Sequence, residues 1–266
     1  MEDDLILDTS GIFTRYRNDQ YDDVYAACFD IHTSKLGGKD MEDIKMKPSL
    51  DDVPGWHATY GQHQLVAHPE VEIDISTMRD KSIQSRDLRA LSPIIRRWFM
   101  PSSEVRSIKD HLIDTYNINP MRTISIFYRG TDKSNETPPL PIRCCLDNVL
   151  HALEKTPDLE SVLIQSDCQI MTDEISTAIS NDRSDLRIII IDEMFKSSDN
   201  KPVHLAHYDR GNVIDKLKQI QTLLAIVWIM KDCKYNIAST SFLSRWIWLY
   251  RGDRENFIQY VNGDIV

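Results

Sequence analysis

The chain has 266 residues, of which 27% are charged and 41% are hydrophobic, a composition typical of globular domains and not of disordered or membrane-spanning chains. Its formal net charge of −10 argues against nucleic acid or an anionic bilayer as the main partner, because both require an electropositive surface. The five cysteines include no Cys-x-x-Cys pair, which favours reduced thiols over a disulfide framework or a zinc site. The acidic start lacks the features of a secretory signal and no apolar run approaches the ~18 residues of a membrane span, so the sequence predicts a cytoplasmic protein without a transmembrane segment.

Residues 1–117 are predicted to form an N-terminal α/β domain. A short strand is expected at 5–8 and a helix at 19–31, and a loop rich in Gly, Pro, Asp and Lys follows between 33 and 61. A second strand is expected at 71–75, and Pro101 separates helices at 87–99 and 102–116. Asn119-Pro120 disfavours a longer helix, so the domain boundary is placed between residues 117 and 118.

Two groups of side chains in this first part have chemistry that suits a ligand. The long loop carries Trp56, Tyr60 and His63, whose rings could stack on a sugar or could equally hold the loop against the body of the protein. Glu72 and Asp74 alternate along the predicted strand and are similar to a short Asp-x-Asp metal motif. A metal-dependent transferase that works through these two acids therefore remains an alternative.

Residues 118–266 show a more regular alternation of strands and helices. Strands are predicted at 123–128, 161–165, 186–191 and 235–238, and helices at 143–155, 169–180, 212–231 and 241–250. This order predicts a parallel sheet with helical crossovers. The carboxyl ends of parallel strands meet at one edge, and ligands of open α/β sheets bind beyond that edge.

Polar side chains follow three of these strands. The first strand leads into Arg129, Thr131, Asp132 and Lys133, the second into Ser166-Asp167, and the fourth into Ser239-Thr240-Ser241 at a helix start. Each group alone would also fit a solvated turn or a helix cap. Together, an arginine and a helix N-terminus at one edge suit a diphosphate. Neither Gly-x-x-x-x-Gly-Lys-Ser/Thr nor Gly-x-Gly-x-x-Gly occurs, which disfavours nucleoside triphosphatases and dinucleotide dehydrogenases.

The same stretches resemble a known group of enzymes. The run from Phe127 to Lys133, Phe-Tyr-Arg-Gly-Thr-Asp-Lys, is similar to the His-Val-Arg-Arg-Thr-Asp-Lys motif of the α-1,6-fucosyltransferase and nodulation-fucosyltransferase superfamily. Residues 162–167 and 235–245 are similar to its second and third motifs, so the resemblance covers about residues 95–250. It implies an α/β, GT-B-like fold, in which two Rossmann-like halves with parallel sheets face a central cleft. It also implies inverting sugar transfer without a metal or another cofactor.

The resemblance assigns donor binding to the C-terminal half. Arg129 would hold the β-phosphate of a nucleoside-diphosphate sugar and stabilise the charge that develops on the leaving diphosphate. Asp167 and the run 239–241, which comprises Ser239, Thr240 and Ser241, would contribute to the same donor site. Phe127 stands where the family has a histidine that helps to hold the nucleoside.

Catalysis is assigned to the loop after the first motif. Glu136 is one residue closer to the motif than the family's carboxylate, and it is predicted to be the general base on the acceptor hydroxyl. Lys133 and Asp132 would order the loop or relay the proton. The glycan acceptor would lie on the side of residues 1–117, against Trp56, Tyr60 and His63.

Two departures from the family pattern concern the nucleoside. Phe127 replaces the histidine, and no clear acid occurs at 221–225, where the family has one. The donor is therefore predicted as GDP-fucose by resemblance or as a UDP-sugar such as UDP-xylose, which makes the protein a hexosyl or pentosyl transferase. The alternative is a non-catalytic nucleotide-sugar or glycan-binding module of the same fold.

Overall fold

In the computed structural model, residues 27–30, 99–131, 140–198, 216–239, 241–253, 255–261 and 264–265 are described. They contain a six-stranded sheet with the spatial order β3-β2-β1-β4-β5-β6. The strands are β1 (Thr123–Tyr128), β2 (Ser161–Ser166), β3 (Arg187–Ile190), β4 (Tyr235–Ala238), β5 (Phe257–Val261) and β6 (Asp264–Ile265). Strands β1 to β5 pair in parallel, and only β6 runs antiparallel to its neighbour β5.

Five α-helices accompany the sheet in the described part of the chain. They are α1 (Ser103–Thr115), α2 (Ile142–Lys155), α3 (Gln169–Asp182), α4 (Lys216–Met230) and α5 (Phe242–Arg251). A short 3₁₀ turn, Pro120–Arg122, leads into β1. Ser102 caps α1 by accepting a hydrogen bond from the Val105 N–H at 3.4 Å, as its position before an acidic first turn predicts.

Two apolar clusters place the helices on opposite faces of the sheet. Strand β1 is buried along its whole length, because its alternate side chains enter both clusters. Ile124, Ile126 and Tyr128 pack with the side chains of α2 and α3. Phe127 packs on the other face with α1, α4 and α5. The result is a three-layer αβα arrangement in which β1 is the central strand.

A short segment before the sheet is tied to the chain that enters α1. The Asp30 N–H donates to the Met100 carbonyl at 2.8 Å, and the Ser102 N–H donates to the Cys28 carbonyl at 2.9 Å. Phe29 and Phe99 meet edge to face at 5.6 Å between ring centroids. Helix α1 packs against α4, so residues 99–115 rest on the same body as the sheet.

The predicted α/β class and the parallel sheet are confirmed. Predicted strand 123–128 has the bounds of β1, and each predicted helix after residue 140 overlaps α2 to α5. Strands β5 and β6 were not predicted. The strands expected at 5–8 and 71–75, and the loop between 33 and 61, lie outside the described residues. None of the described helices has the length and apolarity that crossing a membrane requires.

Candidate functional site

The strand order places a topological switch point at the carboxyl ends of β1 and β4, where an open α/β sheet is expected to have a crevice. From β1 the chain proceeds through α2 to β2 on one side, whereas β4, which arrives later through α4, pairs with the other side of β1. At such a topological switch point the loops after the two neighbouring strands diverge and leave room for a ligand. The loop after β1 begins with Arg129, and the loop after β4 begins with Ser239.

Arg129 is fixed at this edge through both its backbone and its side chain. Its N–H donates to Ser239 Oγ at 2.8 Å, and the Ser239 N–H donates to the Phe127 carbonyl at 2.9 Å. Its Nε forms an ion pair with Asp167 Oδ2 at 2.9 Å. The Arg129 side chain is 27% exposed, so part of it reaches solvent although Nε is paired with Asp167.

Asp167 joins the loops that follow β1 and β2. It lies one residue beyond β2, beside Arg129, because Tyr128 and Ser166 are register partners at the strand ends. In addition to the Arg129 ion pair, its carboxylate accepts hydrogen bonds from the Gly130 N–H and from Thr131 Oγ1, both at 2.7 Å. Charge-assisted bonds of this kind are about twice as strong as neutral ones.

Gly130 allows this close approach. A Cβ at this position would meet Cys168 Cβ at 2.8 Å and Met171 Cγ at 3.0 Å. Non-bonded carbon atoms prefer separations of about 3.5–4.0 Å, so the space between the loop and the start of α3 fits only a hydrogen. The small residue after Arg129 is therefore required by packing.

The helix start after β4 is built by a capping box. Ser241 Oγ accepts from the Ser244 N–H at 2.9 Å, and the Ser241 N–H donates to Ser244 Oγ at 3.1 Å. The Ser241 hydroxyl, predicted to bind phosphate, thus serves the cap of α5, and the residue is 6% exposed. By helix geometry the N–H groups of the first turn lack intrahelical acceptors, so the backbone of α5 offers the anion-binding chemistry at this point.

The two ends of the loop after β1 are anchored. Tyr128 Oη donates to the Leu140 carbonyl at 2.8 Å, while Thr131 is bound to Asp167. Burial, with a smaller contribution from the neighbouring Cys145 thiol, raises the pKa of Tyr128 to about 12, so this phenol remains a donor across the neutral range. The residues on either side of the predicted catalytic loop, Thr131 and Leu140, are therefore held by hydrogen bonds.

The predicted site residues fall into two groups. Arg129, Asp167 and Ser239 lie together at the switch point, and Ser241 begins the adjacent helix. Phe127 belongs to β1, but its side chain is only 5% exposed within the cluster of α1, α4 and α5, which favours a packing role for the ring. The remaining predicted residues lie outside the described residues: Trp56, Tyr60, His63, Asp132, Lys133, Glu136 and Thr240, together with Glu72 and Asp74 of the metal alternative.

Sequence reasoning missed the supporting residues of the site. Gly130 was expected only as part of a motif and Thr131 only as a polar residue at a strand end, whereas the structure shows both as donors to Asp167. Ser197 holds the backbone around Asp167. Its N–H donates to the Asp167 carbonyl at 2.9 Å, and its carbonyl accepts from the Gln169 N–H at 2.9 Å. A glycine directly after a charged strand end was the available signal for a close approach.

Three solved structures are similar to this chain. A NodZ α-1,6-fucosyltransferase soaked with GDP-fucose shares 16% identity at a TM-score of 0.39, with 66% of this chain and 52% of that chain covered. The NodZ enzyme co-crystallised with GDP shares 16% identity at a TM-score of 0.37, with 64% and 50% covered. The Arabidopsis thaliana FUT1 mutant R284K in complex with GDP shares 12% identity at a TM-score of 0.41, with 69% and 38% covered.

Fucosyltransferases, which the sequence was predicted to resemble, are thus among the solved structures similar to this chain. The chain spans about half the length of the NodZ chains and 38% of the FUT1 chain. No family model matches the sequence, and no curated protein matches it. At these identities and TM-scores, the function has to be inferred from the residues of this chain.

Proposed function

We propose that the protein is an inverting, metal-independent glycosyltransferase that moves a sugar from a nucleoside-diphosphate sugar to a glycan hydroxyl. The donor is GDP-fucose or a UDP-sugar such as UDP-xylose. The observation that carries the proposal is the fixed Arg129 at the switch point between β1 and β4, beside the N-terminus of α5. A preorganised cation and a helix N-terminus together suit two linked phosphates.

Arg129 would act on the leaving group. As the bond between the anomeric carbon and the diphosphate oxygen breaks, the electron pair remains on that oxygen and negative charge grows there. A guanidinium that is already ordered stabilises this charge without reorganisation in the transition state. The Asp167 and Ser239 contacts keep the guanidinium at the crevice before the donor arrives.

Glu136 would act on the acceptor as general base. Inversion requires the acceptor hydroxyl to attack the anomeric carbon opposite the diphosphate while its proton passes to a base. Glu136 belongs to the loop whose two ends are anchored by Thr131 and Leu140 beside the crevice, which supports its assignment. Asp132 and Lys133 order this loop or relay the proton.

The acceptor side of the proposal rests on the sequence. Residues 1–117 would form the second half of a GT-B-like arrangement, and 118–266 the nucleotide-sugar half. The loop with Trp56, Tyr60 and His63 would then face the crevice and stack on the glycan.

The first test is binding of GDP, UDP and their sugars to the whole chain. In a thermal-shift assay, a ligand at 100 times its dissociation constant stabilises the protein by about 2.7 kcal/mol. Arg129→Ala should lower transfer about 10²–10³-fold, the cost of one preorganised charge-stabilising donor. Arg183→Ala is the matched control, since Arg183 also pairs with an aspartate, Asp185, but on the exposed surface after α3. A loss under threefold for Arg129→Ala would refute the assignment.

The second test separates transfer from binding. Glu136→Gln should abolish transfer and preserve the donor affinity, because glutamine keeps the shape but accepts no proton. Transfer at wild-type rate in Glu136→Gln would remove this residue from the mechanism. Donor binding without transfer in the wild-type chain would identify a binding module, and a loss of transfer in EDTA would restore the metal-dependent alternative.

A further inference from the structure

The Asp167 carboxylate is used mainly by the protein itself. Its two oxygens accept from Arg129 Nε, the Gly130 N–H and Thr131 Oγ1, three consecutive residues of the loop after β1. A carboxylate would also repel the phosphates of a nucleotide. We infer that Asp167 is a positioning residue, which holds Arg129 and the start of the loop and acts on a bound diphosphate only through Arg129. This inference rests on the proposed function for the identity of the ligand.

The backbone on both sides of the Asp167 side chain is held by hydrogen bonds to buried serines. The Asp167 carbonyl accepts from the Ser197 N–H at 2.9 Å, and the next residue, Cys168, donates its N–H to Ser166 Oγ at 3.1 Å. Ser166 and Ser197 are both fully buried. Because the backbone on either side of Asp167 is held by buried groups, its side chain can in turn fix a residue that reaches solvent.

The Arg129 contact fixes orientation as well as position. Nε and the two terminal nitrogens of a guanidinium share one plane, so a bond at Nε determines the direction in which the whole fork points. Arginine loses much rotamer freedom when it is ordered. An arginine that is ordered before the ligand arrives spares this cost at the moment of binding.

A positioning role and a purely electrostatic role predict opposite effects of Asp167→Asn. Removal of a negative charge beside an anion site should by electrostatics alone tighten the binding of GDP. If Asp167 positions Arg129, the same substitution should weaken binding. Asparagine retains an oxygen that can accept from the Gly130 N–H at the Oδ1 position, but its amide N–H₂ cannot accept from Arg129 Nε.

The experiment is a double-substitution cycle on the whole chain, with GDP and UDP titrated by calorimetry. Asp167→Asn should weaken nucleotide binding about tenfold, the factor that corresponds to one charge-assisted hydrogen bond. In the Arg129→Ala background, the same substitution should change affinity less than about twofold. Asp185→Asn is the control, since it breaks an arginine–aspartate pair on the surface and should leave affinity unchanged.

Equal or tighter binding by Asp167→Asn overturns the inference, as does an equal loss in both backgrounds, which would indicate a general structural effect. Should Asp167→Asn fail to fold, Thr131→Val removes one of the three donors to the carboxylate and should weaken binding about two- to fivefold, only while Arg129 is present.

A spectroscopic readout keeps the inference separate from the proposed function. In ¹⁵N NMR spectra without nucleotide, the Arg129 Nε–H signal of the wild type should exchange slowly and stand apart from exposed arginines, and Asp167→Asn should remove that protection. If the wild type binds neither nucleotide, the proposed function fails, and a protected Arg129 signal still supports the positioning role. An unprotected signal in the wild type overturns that role.

Discussion

Gly130→Ala tests directly whether the close packing of the loop after β1 orders the site. A methyl group there would lie 2.8 Å from Cys168 Cβ and 3.0 Å from Met171 Cγ. The Met171 side chain can turn away, but Cys168 Cβ is attached directly to the backbone at the start of α3, and that residue is fully buried. The loop would therefore have to move by roughly 0.7 Å to reach an ordinary carbon–carbon contact.

This displacement would lengthen the hydrogen bond between the Gly130 N–H and Asp167. The Gly130 nitrogen lies 2.7 Å from Asp167 Oδ1, and an added 0.7 Å would take this distance beyond the ~3.2 Å upper end of normal N–H···O bonds. Overpacking in a tight environment costs about 1–3 kcal/mol, and the entropy that alanine removes from the unfolded chain returns about 0.4–1 kcal/mol. With the weakened bond to Asp167 included, the net loss of stability should be about 2 kcal/mol.

The assay compares two glycines that differ in location. Gly252 is the left-handed C-cap of α5, with φ of 80°, so Gly252→Ala should cost about 1 kcal/mol through backbone strain. Gly252 lies at the far end of the ten-residue helix α5, about 15 Å from its N-terminus. Urea unfolding should show that both variants lose stability, and calorimetry should show that only Gly130→Ala weakens GDP or UDP binding, by about tenfold or more.

Two outcomes would refute this reasoning. Wild-type stability and affinity in Gly130→Ala would mean that the loop accommodates a methyl group and that the Asp167 contact does not order Arg129. An equal loss of affinity in Gly252→Ala would mean that binding follows overall stability and not the geometry of the switch point.

Ser239→Ala removes the acceptor of the Arg129 N–H, so the free energy of unfolding should fall by about 1–3 kcal/mol. Nucleotide affinity should fall as well. An unchanged urea midpoint would contradict this prediction. The stability of the protein should also fall above pH 9, because burial raises the pKa of each of three groups, Cys145, Cys233 and Tyr128, to about 12. These groups keep their protons in the folded chain while the unfolded chain loses them, so each thiol lowers the free energy of unfolding by about 1.4 kcal/mol per pH unit from pH 9, and the phenol contributes from pH 10. Urea unfolding at pH 7, 9 and 10 measures the effect, and a constant free energy of unfolding would exclude it.

The central strand was predictable because its residues are buried on both faces. Apolar and small side chains fill 123–128 without interruption, and β1 has those bounds. Strand β5, Phe257–Val261, was missed although it is apolar and aromatic. Its position is determined by parallel pairing with β4, such as Asn236 with Phe257, and a long-range partner leaves no local signal in the sequence.

Residue types at the site were predictable, but their partners were not. Strand ends alone indicate that Arg129, Asp167 and Ser239 share an edge. They do not indicate that Asp167 points along the edge toward the loop after β1 and not toward a ligand. Ser241 is a similar case, since a serine at a helix start suits either a phosphate or a cap. The structure shows the cap, which Ser244 completes in place of the Glu or Gln usual at that position.

The burial of Phe127 bears on the nucleoside selection expected under the proposed function. At 5% exposure its ring lies within an apolar cluster with side chains of α4 and α5, where a histidine would have to bury a polar imidazole. Phe127, which stands where the motif that the sequence resembles has a histidine, therefore fits the packing on this face of the sheet. Arg129, by contrast, is held through Nε by Asp167 and through its backbone N–H by Ser239, and neither contact involves the Phe127 ring. Under the proposed function, we therefore expect phosphate binding and base selection to be separable, and the comparison of GDP with UDP tests the second independently of the first.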